Sequence, residues 1–127
     1  MLYSDAVDVL VVDDDAAILS ALHDVLVDEG FLVGTAVNGA HALEVIRSGR
    51  PIGMVLTDLM MDHMSGWELI AVLREERPDL PVVAVSGCAA SLWPKGTTTI
   101  AKPMRLDGLY ALVRATLEER KCQPTAI

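Results

Sequence analysis

Five short apolar segments, separated by longer amphipathic ones, constrain the fold of this chain more than any other feature. The apolar segments are predicted to be β-strands and lie at residues 8–12, 31–36, 53–57, 81–86 and 98–101. They lack a regular alternation of apolar and polar side chains, which is typical of strands covered on both faces, as in a parallel sheet. Strands that alternate with helices predict a doubly wound α/β sandwich with right-handed crossovers.

The amphipathic segments carry clear helix boundaries. Helices are predicted from residue 16 to about 29, at 39–48, from 66 onward and at 106–121. Asp15 is placed to cap the first helix, and Ser65 and Glu68 have capping-box spacing before the third. The inward face of the first helix is predicted to carry Ile18, Leu22, Val25 and Leu26.

Composition narrows the class of protein. The 127 residues suit one domain, and with 52% hydrophobic but only 4% aromatic residues the core must be aliphatic. A formal charge of −8 argues against direct binding to nucleic acid or to a membrane surface. The chain has neither a long apolar span nor the start of a secretory signal, so a cytoplasmic location is expected.

The fourth crossover breaks the strand–helix rhythm. Only the eleven residues 87–97 separate the fourth strand from the fifth, and they include Gly87, Pro94 and Gly96. A parallel crossover usually needs a dozen or more residues. The fourth helix is therefore predicted to be truncated or irregular, with a turn or two around residues 89–93.

Polar residues that suit phosphoryl chemistry end or follow several predicted strands. They are Asp13, Asp14, Asp58, Ser86 and Lys102. The carboxyl ends of parallel strands share one edge of a sheet, where active residues collect. Three carboxylates there would repel one another unless a hard cation such as Mg²⁺ bound them. A carboxylate can attack a phosphoryl group, while a lysine and a hydroxyl stabilise the charge of that group.

These motifs together resemble the receiver domain of bacterial response regulators. They are V-V-D-D-D at residues 11–15, T-D-L-M-M and M-S-G within residues 57–66, V-S-G at residues 85–87 and A-K-P at residues 101–103. Each motif alone is weak, but their order and spacing cover essentially the whole chain. The resemblance implies a flavodoxin-like sheet of order 2-1-3-4-5.

The resemblance also implies a role for each site residue. Asp58 matches the phospho-acceptor. The Mg²⁺ ligands of the family are matched by Asp13, Asp14, Asp58 and the backbone carbonyl of Met60. Ser86 and Lys102 match the residues that bind the phosphoryl group. The donor would be a phosphohistidine on a sensor histidine kinase or on a histidine phosphotransfer protein.

The chain departs from the family pattern at several positions. Asp62 stands where the family usually has Pro, and Thr99 stands where it has the Tyr or Phe that changes rotamer on activation. Trp93 is predicted either to cover the core or to face a partner. Met60 and Cys88 occupy positions that influence water access in the family, and because neither can act as a base, slow self-dephosphorylation is expected.

Residues 1–127 are predicted to form a single receiver domain without an output domain, which would signal through protein contacts. Dimerisation is left open. One alternative is an interaction module of the same fold that is never phosphorylated. Another is a phosphatase of the haloacid-dehalogenase type, although that family needs an acidic metal-binding motif after its lysine and no such motif follows Lys102. Beyond its own phosphotransfer and dephosphorylation, the chain is not expected to be an enzyme.

Overall fold

A five-stranded parallel sheet forms the centre of the fold in the computed structural model, which describes residues 6–122. The strands are β1 (Val7–Val12), β2 (Val33–Ala36), β3 (Ile52–Asp58), β4 (Val82–Ser86) and β5 (Thr98–Ala101). Their order is β2-β1-β3-β4-β5, and every neighbouring pair is parallel. The predicted doubly wound sheet and its strand order are thus confirmed.

Four α-helices cover the two faces of the sheet. They are α1 (Ala16–Asp28), α2 (Gly39–Arg47), α3 (Gly66–Glu76) and α4 (Leu106–Cys122). Leu43 of α2 and Leu69 of α3 belong to the aliphatic cluster on one face, whereas Leu22 of α1 and Leu109 of α4 belong to the cluster on the other. The continuous apolar strands follow from this double cover, because neither face of the sheet is open to water.

The helix caps form as the sequence predicts. The Asp15 carboxylate accepts hydrogen bonds from the backbone N–H groups of the first turn of α1. At the start of α3, Ser65 and Glu68 make the reciprocal pair of a capping box. One predicted core position of α1 is wrong: Ile18 is 37% exposed, whereas Leu19 is buried. Leu19 shares one helical stripe with Leu22 and Leu26, and Ile18 lies one residue off it.

The fourth crossover contains one 3₁₀ turn, at Ala90–Leu92, which confirms the predicted irregular segment. Side chains of α3 hold this segment in place. The Trp67 indole N–H donates to the Leu92 carbonyl at 2.7 Å, and the Arg74 guanidinium donates to the Lys95 carbonyl and to the Thr97 hydroxyl. The segment is therefore positioned by individual polar contacts and by the packing of Cys88 and Trp93, and not by a helical stripe.

The predicted domain runs over residues 1–127, of which 1–5 and 123–127 lie outside the described residues. None of the helices formed by residues 6–122 combines the length and the apolar character that a bilayer crossing requires.

Candidate functional site

Strand register brings the predicted site residues to the carboxyl edge of the sheet. Val12 pairs with Thr57, so Asp13 and Asp58 leave adjacent strands at the same level. Asp58 in turn pairs with Val85, the residue before Ser86. The backbone N–H of Lys102 donates to the Ser86 carbonyl at 2.8 Å, which extends the ladder to the last strand.

Three carboxylates meet at this edge. Oxygen atoms of Asp13, Asp14 and Asp58 all lie within 4.8 Å of one another. Asp13 is buried at 3% exposure, the Asp58 side chain is 11% exposed and Asp14 is open to solvent. The cluster therefore faces solvent on one side and is enclosed by the sheet on the other.

The three carboxylates of the cluster repel one another when they are ionised. Burial raises the pKa of Asp13 above its usual value of 3.8, and the charges of Asp58 and Asp14 raise it further. The backbone N–H of Asp15 and the Lys102 ammonium oppose this rise but do not cancel it. A divalent cation would relieve the repulsion, and an all-oxygen donor set suits Mg²⁺. The residues present therefore fit the cation that the resemblance implies.

Backbone groups fix the orientation of these carboxylates. Asp13 Oδ1 accepts the N–H of Asp15 at 2.9 Å, and Asp14 Oδ2 accepts the N–H of Asp62 at 3.0 Å. The N–H of Met60 lies 3.4 Å from Asp58 Oδ1, at the long end of hydrogen bonding. The loop after β3 is thus folded back over the acidic cluster.

A close approach between α3 and the end of β3 supports this loop. A β-carbon at Gly66 would lie 2.7 Å from the Leu59 Cα and still closer to the Asp58 carbonyl oxygen. The N–H of Gly66 donates to the Leu59 carbonyl at 2.8 Å. The M-S-G motif therefore sets the position of Asp58, a role that the sequence analysis did not assign to Gly66.

The Lys102 ammonium and the Ser86 hydroxyl complete this edge of the sheet. Lys102 Nζ lies 3.4 Å from Asp58 Oδ2. Ser86 is only 1% exposed, and its hydroxyl oxygen contacts the backbone N–H and the thiol of Cys88. Cys88 lies two residues after Ser86 in the sequence, but this contact between their side chains was not predicted.

Two further predicted positions lie away from the acidic cluster. Thr99 is on β5, and its hydroxyl donates to the Thr97 carbonyl at 3.2 Å. Trp93 is half-buried against a small cluster of Leu59, Ile70 and Ala84. Trp93 thus covers part of the core, while its contact with a partner stays a prediction.

This sheet order and its oxygen-rich edge define a flavodoxin-like domain with a candidate cation site beside a single lysine. A family model described as the response regulator receiver domain matches residues 9–114. The chain therefore belongs to the response regulator receiver domain family. Receiver domains are phosphorylatable signalling modules of two-component systems, interact with histidine kinases and bind Mg²⁺ at their acidic pocket. This membership argues against the haloacid-dehalogenase alternative.

Individual relatives agree with this assignment. The chain is 37% identical over 124 residues to the response regulator MprA of Mycobacterium ulcerans, and the match covers 93% of this chain and 53% of that protein. The chain thus spans about half the length of the curated relatives it matches.

Solved receiver structures superpose closely on this chain. A response regulator receiver protein from Sinorhizobium medicae has a TM-score of 0.81 at 35% identity, with 91% of this chain and 98% of that chain covered. The response regulator TrrA of Thermotoga maritima, solved in complex with Mg(2+)-BeF, has a TM-score of 0.78 at 27% identity. That match covers 86% of this chain and 97% of the TrrA chain.

Proposed function

We propose that Asp58 accepts a phosphoryl group from a phosphohistidine, carried by a sensor histidine kinase or a histidine phosphotransfer protein, in a Mg²⁺-dependent reaction. The observation that carries the proposal is the position of Asp58. Its carboxylate is grouped with those of Asp13 and Asp14 and lies 3.4 Å from Lys102 Nζ. No other aspartate among residues 6–122 belongs to such a group.

The chemistry follows from these neighbours. A carboxylate oxygen of Asp58 attacks phosphorus, the new O–P bond forms, and the N–P bond of the phosphohistidine breaks. The bonding electron pair stays on the donor histidine, which leaves as a neutral imidazole because its other ring nitrogen carries a proton. Lys102 and the Ser86 hydroxyl would hold the peripheral phosphoryl oxygens. Asp13, Asp14, Asp58 and the carbonyl of Met60 would hold Mg²⁺, which supplies charge neutralisation when bound.

The loops beside Asp58 leave room for a donor. An open depression of about 400 Å³ adjoins the acidic cluster and is lined by Asp14, Met60, Asp62 and Trp67, among others. Met60 is 63% exposed, and its thioether cannot take a proton from water. Because the Cys88 thiol is also a poor base, slow self-dephosphorylation remains the expectation.

Signalling would follow from contacts of the phosphorylated domain with other proteins, because phosphorylation adds charge that biases a two-state surface. Signalling by this domain without an attached output domain stays a prediction, and so does the absence of direct nucleic-acid binding. The alternative of an interaction module that is never phosphorylated shares the same fold.

The direct test is the intact mass of the purified chain after incubation with acetyl phosphate, with and without Mg²⁺. A gain of one phosphoryl group is expected only with Mg²⁺, and Asp58→Asn should abolish it. Asp62→Asn is the matched control, because it removes a neighbouring charge but no proposed ligand. If acetyl phosphate and a phosphohistidine donor both fail, the proposal is wrong and the phosphorylation-independent module is favoured.

A further inference from the structure

The Ser86 hydroxyl has an unusual partner in this chain. Its oxygen accepts the backbone N–H of Cys88 at 2.9 Å and lies 2.7 Å from the Cys88 sulfur. Ser86 is almost fully buried, so water competes little for these contacts. Cys88 therefore contacts the Ser86 hydroxyl twice, through its backbone N–H and through its thiol.

A hydroxyl offers one proton and two lone pairs, which limits what it can do at once. The Cys88 N–H occupies one lone pair of Ser86 Oγ. When the thiol donates its S–H to the second lone pair, the hydroxyl proton has no acceptor within its own loop. That proton can then point toward a phosphoryl oxygen on Asp58, which is a stronger acceptor than a thiol.

The thiol is held where it can act in this way. Cys88 packs against the cluster of Leu59, Ile70 and Ala84. Its carbonyl accepts the indole N–H of Trp93 at 3.2 Å. Because residues 87–97 contain only one 3₁₀ turn, these contacts and not a helix fix the sulfur beside Ser86.

We propose that Cys88 is a positioning residue for phosphoryl binding, which orients the Ser86 hydroxyl proton toward the group on Asp58. The inference rests on the proposed function, because it needs Ser86 to bind that group. A thiol is a weak donor. Loss of one neutral hydrogen bond corresponds to an affinity change of about three- to fivefold.

The test is calorimetric titration with beryllium fluoride in the presence of Mg²⁺, as a stable mimic of the phosphoryl group. We expect Cys88→Ala to weaken binding about three- to fivefold. Cys88→Ser should restore most of the affinity, because a hydroxyl also donates. Ser91→Ala, an exposed hydroxyl in the same segment, is the matched control and should bind like the wild type.

A double-mutant cycle separates positioning from packing. If Cys88 acts through Ser86, then Cys88→Ala should change affinity less than twofold in a Ser86→Ala background. An equal loss in both backgrounds, or wild-type affinity in Cys88→Ala, overturns the positioning role. If the wild type binds no beryllium fluoride and takes up no phosphoryl group, the proposed function fails first and the inference falls with it. Thermal unfolding of each variant checks that it is folded.

Discussion

Replacing Asp13 with Asn should stabilise the protein in the absence of divalent cations, because it removes a buried negative charge that also lies beside two others. Asp13 is the most buried member of the cluster, and the one described hydrogen bond of its side chain is from the Asp15 N–H to Oδ1. The amide oxygen of Asn can accept the same bond. The substitution therefore removes the charge while keeping the shape of the side chain and its bond from the Asp15 N–H.

The magnitude follows from the separation of the charges. Two unit charges 4.8 Å apart repel by about 1 kcal/mol in water and about 3.5 kcal/mol at an effective dielectric constant of about 20. Lys102, 3.4 Å from Asp58, offsets part of this repulsion. We therefore expect the free energy of unfolding to rise by about 1–3 kcal/mol. For a domain of this size, that corresponds to a rise in Tm of at least about 3 °C.

The pH dependence gives this prediction a definite sign. The folded-state pKa of Asp13 is raised above 3.8, so its contribution to stability is fully present below that pH and is lost as pH rises through the folded value. The advantage of Asp13→Asn should therefore be full at pH 7 and should shrink as pH falls toward 3.8.

Thermal unfolding in EDTA at several pH values is the assay, and Glu75→Gln on exposed α3 surface is the control with the same change in net charge. Added Mg²⁺ should stabilise the wild type more than Asp13→Asn. An unchanged or lower Tm for Asp13→Asn at pH 7 would refute the argument from charge crowding.

Three further substitutions test how the site is supported. Gly66→Ala should lower stability to urea by about 1–3 kcal/mol, because the added methyl overlaps the backbone of Asp58 and Leu59. Arg74→Ala should speed amide hydrogen exchange in residues 90–97, because the segment loses its bonds to that guanidinium. Thr99→Ala should leave beryllium fluoride affinity within about twofold, because the Thr99 hydroxyl bonds the Thr97 carbonyl.

Each of these substitutions has a clear contrary result. Gly108→Ala places its methyl in open space on α4, so a loss of stability as large as that of Gly66→Ala would contradict the steric argument. Unchanged exchange in Arg74→Ala would show that other contacts hold the segment. A loss of affinity well beyond twofold in Thr99→Ala would mean that this position couples to the site.

The sheet and the edge that carries the candidate site could be predicted because they depend on local signals. The strands are continuous apolar runs, and the capping-box spacing of Ser65 and Glu68 predicts the start of α3 within four residues. Once the strands are parallel, their carboxyl ends share one edge of the sheet, and Asp13, Asp58 and Lys102 all follow or end strands at that edge.

Other features depend on tertiary contacts that leave no periodic trace in the sequence. Ile18 and Leu19 are both apolar, and only the packing of α1 against the sheet decides which of them is buried. In residues 87–97, the bonds from Trp67 and Arg74 cross more than 20 residues and have no helical spacing to reveal them. The contact between Cys88 and Ser86 follows from that same irregular path.

The central claim is that Asp58, and not a neighbouring aspartate, carries the phosphoryl group. Reduction of the phosphorylated protein with borohydride converts an aspartyl phosphate to homoserine, and peptide mass spectrometry then locates the modified residue. We predict homoserine at position 58, only after phosphorylation in the presence of Mg²⁺. Homoserine at position 13 or 14 with Asp58 intact would contradict the assignment of the acceptor.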